Sequence, residues 1–592
     1  MFGYHQDEKR FQHLTSRLFE QEMTSSTLNM HYSLAYPADF GIFDYEVLLP
    51  GYSREASLSG QAATENLLKA LSSLNVDKLN EQDAYTYKLL IKSLENSLAL
   101  NSFSYYEEPL SPSSGMQSQL PILLAEYTFR TKKDVTDYLQ LLDQTDEYFD
   151  SLLRFTQEKA AAGLLMPSSS LQEVIQQCDT IVSKEELAQS THFLQTTFKE
   201  RLAGLVDKGA ISEAEAAKFI TYNDRLLTTV LQPAYESLGD GLSLLESSCN
   251  SLAGLAAKPQ GKEYYKQLLI AETGSYRSVE DIKAMLTERL KQEYTAIRTL
   301  AAENPQIAEQ LSSQEAMNFP YTDADVMLAD LTKRMKEDFP TFPTDYTGLG
   351  KQDTREALPS VTVKAVSPSL EPYCAPAFYL TAPIDDTDSN VIYINHKNSP
   401  SGLELYTTLA HEGYPGHLYQ TVYSNRSFLK KGENKARQLL WYGGYLEGWA
   451  LYVEFISFNY ASQLLLEQGR QLDAACIQLE KHNRSMQLCL YCLLDIMIHY
   501  ENASYSQITD VLEGFGIQNA RSVSAIYSYI AEEPCNYLKY YLGYLEILEL
   551  KKAAQKQWGT NYSDYAFHTF YLDCGPSDFT SLAERLQTAS PY

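Results

Sequence analysis

Two imidazoles and two carboxylates lie close together in this sequence, and that is the donor set a catalytic zinc ion requires. His411-Glu412-Gly413-Tyr414-Pro415-Gly416-His417 supplies both histidines, and Glu447 follows thirty residues later in Tyr-Leu-Glu-Gly-Trp-Ala. Three side chains would hold the metal, a fourth position would stay open to water, and a free carboxylate would serve as base. His411, His417 and Glu447 are the candidate ligands. Glu412 is the candidate general base, because its neighbour His411 already points at the metal. Histidine is scarce, ten in the whole chain, so two within seven residues stand out.

The spacing is unusual. In the common His-Glu-x-x-His motif the histidines sit at i and i+4, on one helical face. Here they sit at i and i+6, and an unbroken helix would turn the second ring by roughly 240° from the first. Pro415 forbids an unbroken helix, because it lacks an N–H and its ring would meet the carbonyl of His411. Gly413 and Gly416 permit unusual backbone angles on either side. The expectation is a kink that returns His417 to the side of His411; otherwise the two histidines are only structural.

Further residues could complete such a site. Glu454, seven residues after Glu447, falls nearly on the same helical face, where it could orient a ligand histidine or be the ligand itself. A developing oxyanion needs a second electrophile beside the metal. One candidate is His499, its ring held by Asp495 four residues earlier on a helix over 488–500. The others are Tyr540 and Tyr541, shortly before Gly543. His396, His482 and His568 read as structural. Cys489 and Cys492 form a C-x-x-C inside an apolar run and read as packed thiols, not as a redox or metal site.

Helices and a short sheet must position these groups. Most of the first 340 residues read as helix. Ser278 is an N-cap with Asp281 three residues on, followed by Ile282, Met285, Leu286, Leu290, Tyr294 and Ile297 at helical spacing. Other helical stretches cover 63–74, 134–161, 184–208 and 214–238. Phe339-Pro340-Thr341-Phe342-Pro343 and the glycine-containing run to Lys351 read as a linker. Strand patterns follow at 360–366, 377–381 and 390–395, and the pattern is helical again from Leu403 to the end. The sheet thus leads into the helix carrying His411. An edge strand there, 377–380 or 391–394, could hold an extended substrate by strand addition. The expected fold class is mainly α, an α+β chain of two lobes. Residues 1–340 would form a helical wall of a deep channel, and 341–592 the metal-binding lobe, with its sheet at 360–395 and helices at 403–592.

Bulk properties narrow the partners. At 592 residues the chain is too long for one core. A net charge of -28 argues against nucleic acid and against an anionic membrane surface. No run approaches the eighteen apolar residues of a membrane span. The polar start leaves two expectations open: a cytoplasmic protein, or an extracellular or cell-envelope one from which an export signal has been removed. Eight scattered cysteines do not decide the compartment.

Together these residues resemble the bacterial domain of unknown function 885 family, which stands with zincin-like metallopeptidases. Its hallmark His-Glu-x-x-Pro-Gly-His fits His411 to His417, and its Glu-Gly-Trp-Ala-Leu-Tyr-x-Glu fits Glu447 to Glu454 without a gap. Asp495 and His499 match its Asp-x-x-x-His, Tyr540 and Gly543 its Tyr-x-x-Gly, and Phe567-His568 with Gly575-Pro576 its closing segment. Glu447 also lies in a context similar to the ligand glutamate of gluzincin aminopeptidases. The resemblance implies a mostly helical gluzincin-like fold, one zinc per chain on His411, His417 and Glu447, and Glu412 as base. The i, i+6 spacing becomes a family trait. One departure concerns the arginines that the family carries ahead of its Asp-x-x-x-His: Met486 to Leu494 holds none, and Arg484 is the nearest. Many relatives are exported or lipid-anchored. The expected function is zinc-dependent hydrolysis of short peptides. The alternatives are a metal-dependent amidase or esterase, and a catalytically silent peptide- or ligand-binding protein.

Overall fold

The computed structural model describes the chain apart from residues 1–3, 308–317, 345–357, 367, 369–370, 372–373, 396, 398–401 and 592. His396 and the part of the expected linker running to Lys351 lie outside the described residues. The chain is mainly helical, with one small sheet of three strands. Among the described residues no helix is long and apolar enough to cross a membrane.

Seven helices build or back the site. They are α1 (Val279–Glu303), α2 (Leu403–Glu412), α3 (His417–Lys431), α4 (Gly443–Glu467), α5 (Gln471–His499), α6 (Ala520–Glu532) and α7 (Asn536–Trp558). Helix α1 begins where the sequence placed it: the Ser278 side chain accepts from the Asp281 N–H at 3.1 Å, satisfying one of the orphan amides of the first turn. Two long helical stretches are instead broken. Residues 134–161 form Lys132–Asp143 and Thr145–Ala161. Gln144 between them turns its side chain outward to pin Leu49 N and Val47 O. Residues 184–208 form Lys184–Gln189 and Phe193–Asp207, separated at Ser190 with a left-handed φ of 57°.

One apolar core gathers helices within residues 28–242 and takes in Val366 and Tyr393 of the sheet region. A larger core joins Phe11, Leu71, Leu74, Leu89 and Leu90 and residues 255–339 to 377–586. The helices just before residue 340 therefore pack into the same core as the site-bearing ones. The strands are β1 (Ser360–Ala365), β2 (Ala377–Leu380) and β3 (Ser389–Ile394), in the order β1-β3-β2. Strand β3 pairs parallel with β1 and antiparallel with β2. Residues 391–394 are thus central and cannot be an edge, because both sides of their ladder are used. Strands β1 and β2 form the two edges.

Helices α4 and α7 cross with almost no space between their backbones. A methyl group on Gly448 would meet the Gly543 carbonyl carbon at 2.5 Å, and one on Gly543 would meet Gly444 O at 2.3 Å. Three glycines let the two backbones touch. That contact sets Glu447 of α4 and Tyr540 of α7 into neighbouring positions.

Asp495 of α5 is fully buried and holds this assembly from behind. Its carboxyl accepts from Tyr265 Oη–H at 2.6 Å and from the Cys535 N–H, just ahead of α7, at 2.9 Å. Burial pushes it up to about 7, against the pull of those two donors. In the unfolded chain it would ionise near about 3.9. Between about pH 4 and 7 the folded state keeps a proton that the unfolded chain has released. Stability from this group therefore declines as pH rises through that window and is level above it. Asp495→Asn keeps an acceptor and removes the titration. Denaturant unfolding over roughly pH 5 to 8 is expected to give a flatter stability profile for the variant than for the wild type.

Candidate metal centre

The chain between the two histidines is broken where Pro415 requires it. Helix α2 ends at Glu412, and His417 is the first residue of α3. The Tyr414–Pro415 peptide bond is cis. Gly416 lies against the end of α2, where a methyl group would come within 1.8 Å of His411 O and 2.4 Å of Ala410 O. Only glycine fits there. The buried Trp449 Nε1–H donates to Pro415 O at 2.9 Å, tying the break to α4 two residues from Glu447. The Tyr414 hydroxyl donates to Pro359 O at 3.2 Å and so ties it to the entry of β1.

The kink brings the two rings together, with centroids 4.9 Å apart and planes at 81°. Glu447 Oε2 stands 3.1 Å from His417 Nε2 and 3.7 Å from His411 Nε2. One donor atom from each of His411, His417 and Glu447 lies within 4.8 Å of the others, so the three could hold a metal ion. Glu454 takes the other side of His411, its Oε2 lying 3.1 Å from Nδ1. It is thus an outer partner that fixes the ring and leaves Nε2 facing Glu447. Arg484 Nε in turn donates to Glu454 Oε1 at 3.3 Å.

The electrostatics follow from this packing. Burial alone would lower His411, yet the flanking Glu447 and Glu454 hold it up to about 10. Burial would raise Glu447, but His417 and His411 pull it below the usual carboxylate range. Glu454 is likewise lowered against the effect of burial, by Arg484 and His411. Carboxylates on both sides of the imidazoles make this a place for positive charge.

A cleft of about 880 Å³ opens beside the centre. His411, Glu412, Glu454, Arg484 and Tyr540 line it, as do Pro376 and Ala377 at the start of edge strand β2. Glu412 Oε2 accepts the Tyr379 N–H of that strand at 2.9 Å. The Tyr540 ring stacks beside His411, centroids 6.1 Å apart. Burial and then the charges of Glu447 and Glu412 raise its phenol well above the ordinary value, so it stays protonated as a donor.

Other expected members lie elsewhere. His499 is fully buried: its Nδ1 accepts from Leu255 N at 3.1 Å and its Nε2 meets Ile530 O at 2.8 Å. With both nitrogens used in the core it does not join the cleft. Asp495 does not hold that ring either, since its two oxygens serve Tyr265 and Cys535. The Tyr541 hydroxyl pairs with Ser485 at 2.7 Å in the core. His568 is buried between Tyr452 Oη and Asp338 O, and His482 pairs with Glu293, both in structural roles. Cys489 and Cys492 are buried free thiols. Sequence reasoning missed Tyr379, whose contribution is a backbone N–H, and the contact of Arg484 with Glu454. Arg484 itself was visible as the arginine nearest Asp495, but its contact with Glu454, 30 residues away, was not.

Residues 37–586 match the bacterial proteins of unknown function grouped as DUF885. The chain belongs to that family. Two solved structures share the fold of this DUF885 protein. The "putative lipoprotein from Colwellia psychrerythraea" matches with a TM-score of 0.78 and 19% identity, over 98% of this chain and 98% of that one. A "putative lipoprotein of unknown function from Shewanella oneidensis" matches with a TM-score of 0.61 and 14% identity, over 97% of this chain and 98% of that one. At such identities the likeness is one of fold alone. No curated protein matches the chain.

Proposed function

We propose that this DUF885 protein is a zinc-dependent peptidase of short peptides, with a zincin-like arrangement of ligands and base. The observation that carries the reading is the convergence of His411, His417 and Glu447, with His411 and its neighbour Glu412 lining an open cleft. The donor set fits the ion. Tetrahedral zinc with bonds near 2.0–2.1 Å sets its ligand atoms roughly 3.3 Å apart, and the separations of 3.1 and 3.7 Å bracket that value. His411 Nε2, His417 Nε2 and a Glu447 oxygen would hold it. When bound, zinc supplies a Lewis acid that polarises a carbonyl and activates water near neutral pH.

The protein's own groups do the rest. Glu454 keeps His411 in the tautomer that presents a lone pair at Nε2. Glu412, anchored through Oε2 by the Tyr379 N–H, has its other oxygen to take a proton from the attacking water and pass it to the leaving amine. The protonated Tyr540 phenol donates to the oxyanion that develops on the scissile carbonyl. Edge strand β2 aligns the substrate: Glu412 occupies the Tyr379 N–H, and Ala377, two residues back on the same edge, offers its backbone to an extended peptide. A cell-envelope location belongs to the same proposal, supported by the two structural relatives described as lipoproteins.

The test is a panel of short peptides against simple esters and non-peptide amides, with the zinc-loaded protein. Cleavage of peptides in preference to the others is the expected result. Turnover of esters alone would replace the reading with that of an esterase, and no turnover at all would leave a binding protein.

A further inference from the structure

Helix α5 turns Glu480, Arg484 and Leu488, four residues apart, toward the cleft. Arg484 is the one arginine or lysine among the described residues that line it, in a wall that also holds Glu404, Glu412, Glu454 and Glu480. Its Nε is engaged by Glu454. Its Nη1 and Nη2 hydrogens meet no protein acceptor among the described residues, and the side chain stays 44% exposed. A guanidinium held at Nε presents its remaining donors as a fork that matches the two oxygens of a carboxylate.

Two phenols share the cleft wall with this fork. Tyr529 of α6 and Tyr537 of α7 both line the cleft, with ring centroids 5.7 Å apart. The Tyr529 hydroxyl accepts from Asn536 Nδ2 at 2.9 Å, so its own proton is free for a ligand. Burial raises both phenols, which keeps them as donors, and Tyr537 lies near enough to Arg484 for the guanidinium to offset part of its rise. One fork and two hydroxyl donors, in an otherwise acidic wall, form a recognition set for a single carboxylate. The set lies one side chain beyond the metal centre, through the Arg484–Glu454–His411 chain of contacts.

We propose that Arg484, with Tyr529 and Tyr537, binds a substrate carboxylate and makes the cleft selective for peptides with a free C-terminus near the cleaved bond. The proposal rests on the peptidase reading and names its substrate class. An acidic side chain of the substrate is the other source of the same chemistry.

The test is calorimetric titration of three tetrapeptides into the zinc-loaded protein carrying Glu412→Gln, which prevents turnover. They are tetra-alanine with a free C-terminus, its C-terminal amide, and an amide ending in glutamate. The free acid is expected to bind about tenfold to a hundredfold more tightly than its amide. Adding Arg484→Gln should bring that ratio close to one, while Arg484→Lys keeps part of it as a point charge. Binding of the glutamate amide as tight as that of the free acid would also support the carboxylate site and assign the side chain as a source. Equal affinity for acid and amide, no binding of either, or an equal weakening of both by Arg484→Gln would overturn the proposal and leave Arg484 as a prop for Glu454. A carboxylate preference without cleavage by the wild-type protein would defeat the peptidase reading alone. Cleavage of acid and amide with equal kcat/KM would defeat the specificity alone.

Discussion

Replacing Glu412 by glutamine is expected to lower peptide hydrolysis by a factor of about 10² to 10⁴, the range for loss of a general base, with the metal content unchanged. The substitution is close to isosteric, and the amide oxygen can still accept the Tyr379 N–H that positions the carboxylate at 2.9 Å. The α2 helix and His411 therefore stay in place. What is lost is the basic oxygen facing the cleft. Steady-state kinetics on a cleaved peptide, alongside elemental analysis of the same preparations, separates the possible outcomes. Full activity would remove Glu412 from the chemistry. Loss of metal together with activity would make it a structural support of the centre.

Gly416→Ala should abolish metal binding by a different route. The added methyl would come within 1.8 Å of His411 O and 2.4 Å of Ala410 O, both backbone atoms at the end of α2. Neither can move aside as a flexible side chain would, so α2 and α3 must separate at the kink. Forcing extra volume into a packed site costs roughly 1–3 kcal/mol or more. The strain falls on the link that holds His417 beside His411, whose rings are 4.9 Å apart. The variant is expected to lose its metal while its far-ultraviolet circular dichroism stays near that of the wild type, because the remaining helices do not depend on this contact. Metal retained at wild-type affinity would mean that the kink is more compliant than its close contacts imply.

Much of this site was legible because its chemistry is local in sequence. Pro415 between glycines announces a break, and the break is what reunites His411 with His417. Glu454 follows from helical geometry, seven residues being close to two turns from Glu447. Other parts depend on partners far along the chain. Asp495 and His499 have the spacing of a carboxylate–imidazole pair, yet both point into the core. His499 meets Leu255 N, 244 residues away in sequence, and no periodicity reveals that. Gly444, Gly448 and Gly543 were visible as residues, but the α4–α7 crossing that requires them was not, since a close backbone approach needs both helices at once. The placing of β3 in the centre of the sheet likewise rests on pairing with β1 and β2 together. Backbone groups such as the Tyr379 N–H carry no residue-type signal at all.

The most direct test of the metal centre is elemental mass spectrometry of the purified protein, beside a His417→Ala variant that keeps the rest of α3. About one zinc per chain in the wild type, lost in the variant, is the expected result. Wild-type protein that remains free of zinc after incubation with the ion, or a variant that binds it as well as the wild type does, would contradict the centre formed by His411, His417 and Glu447.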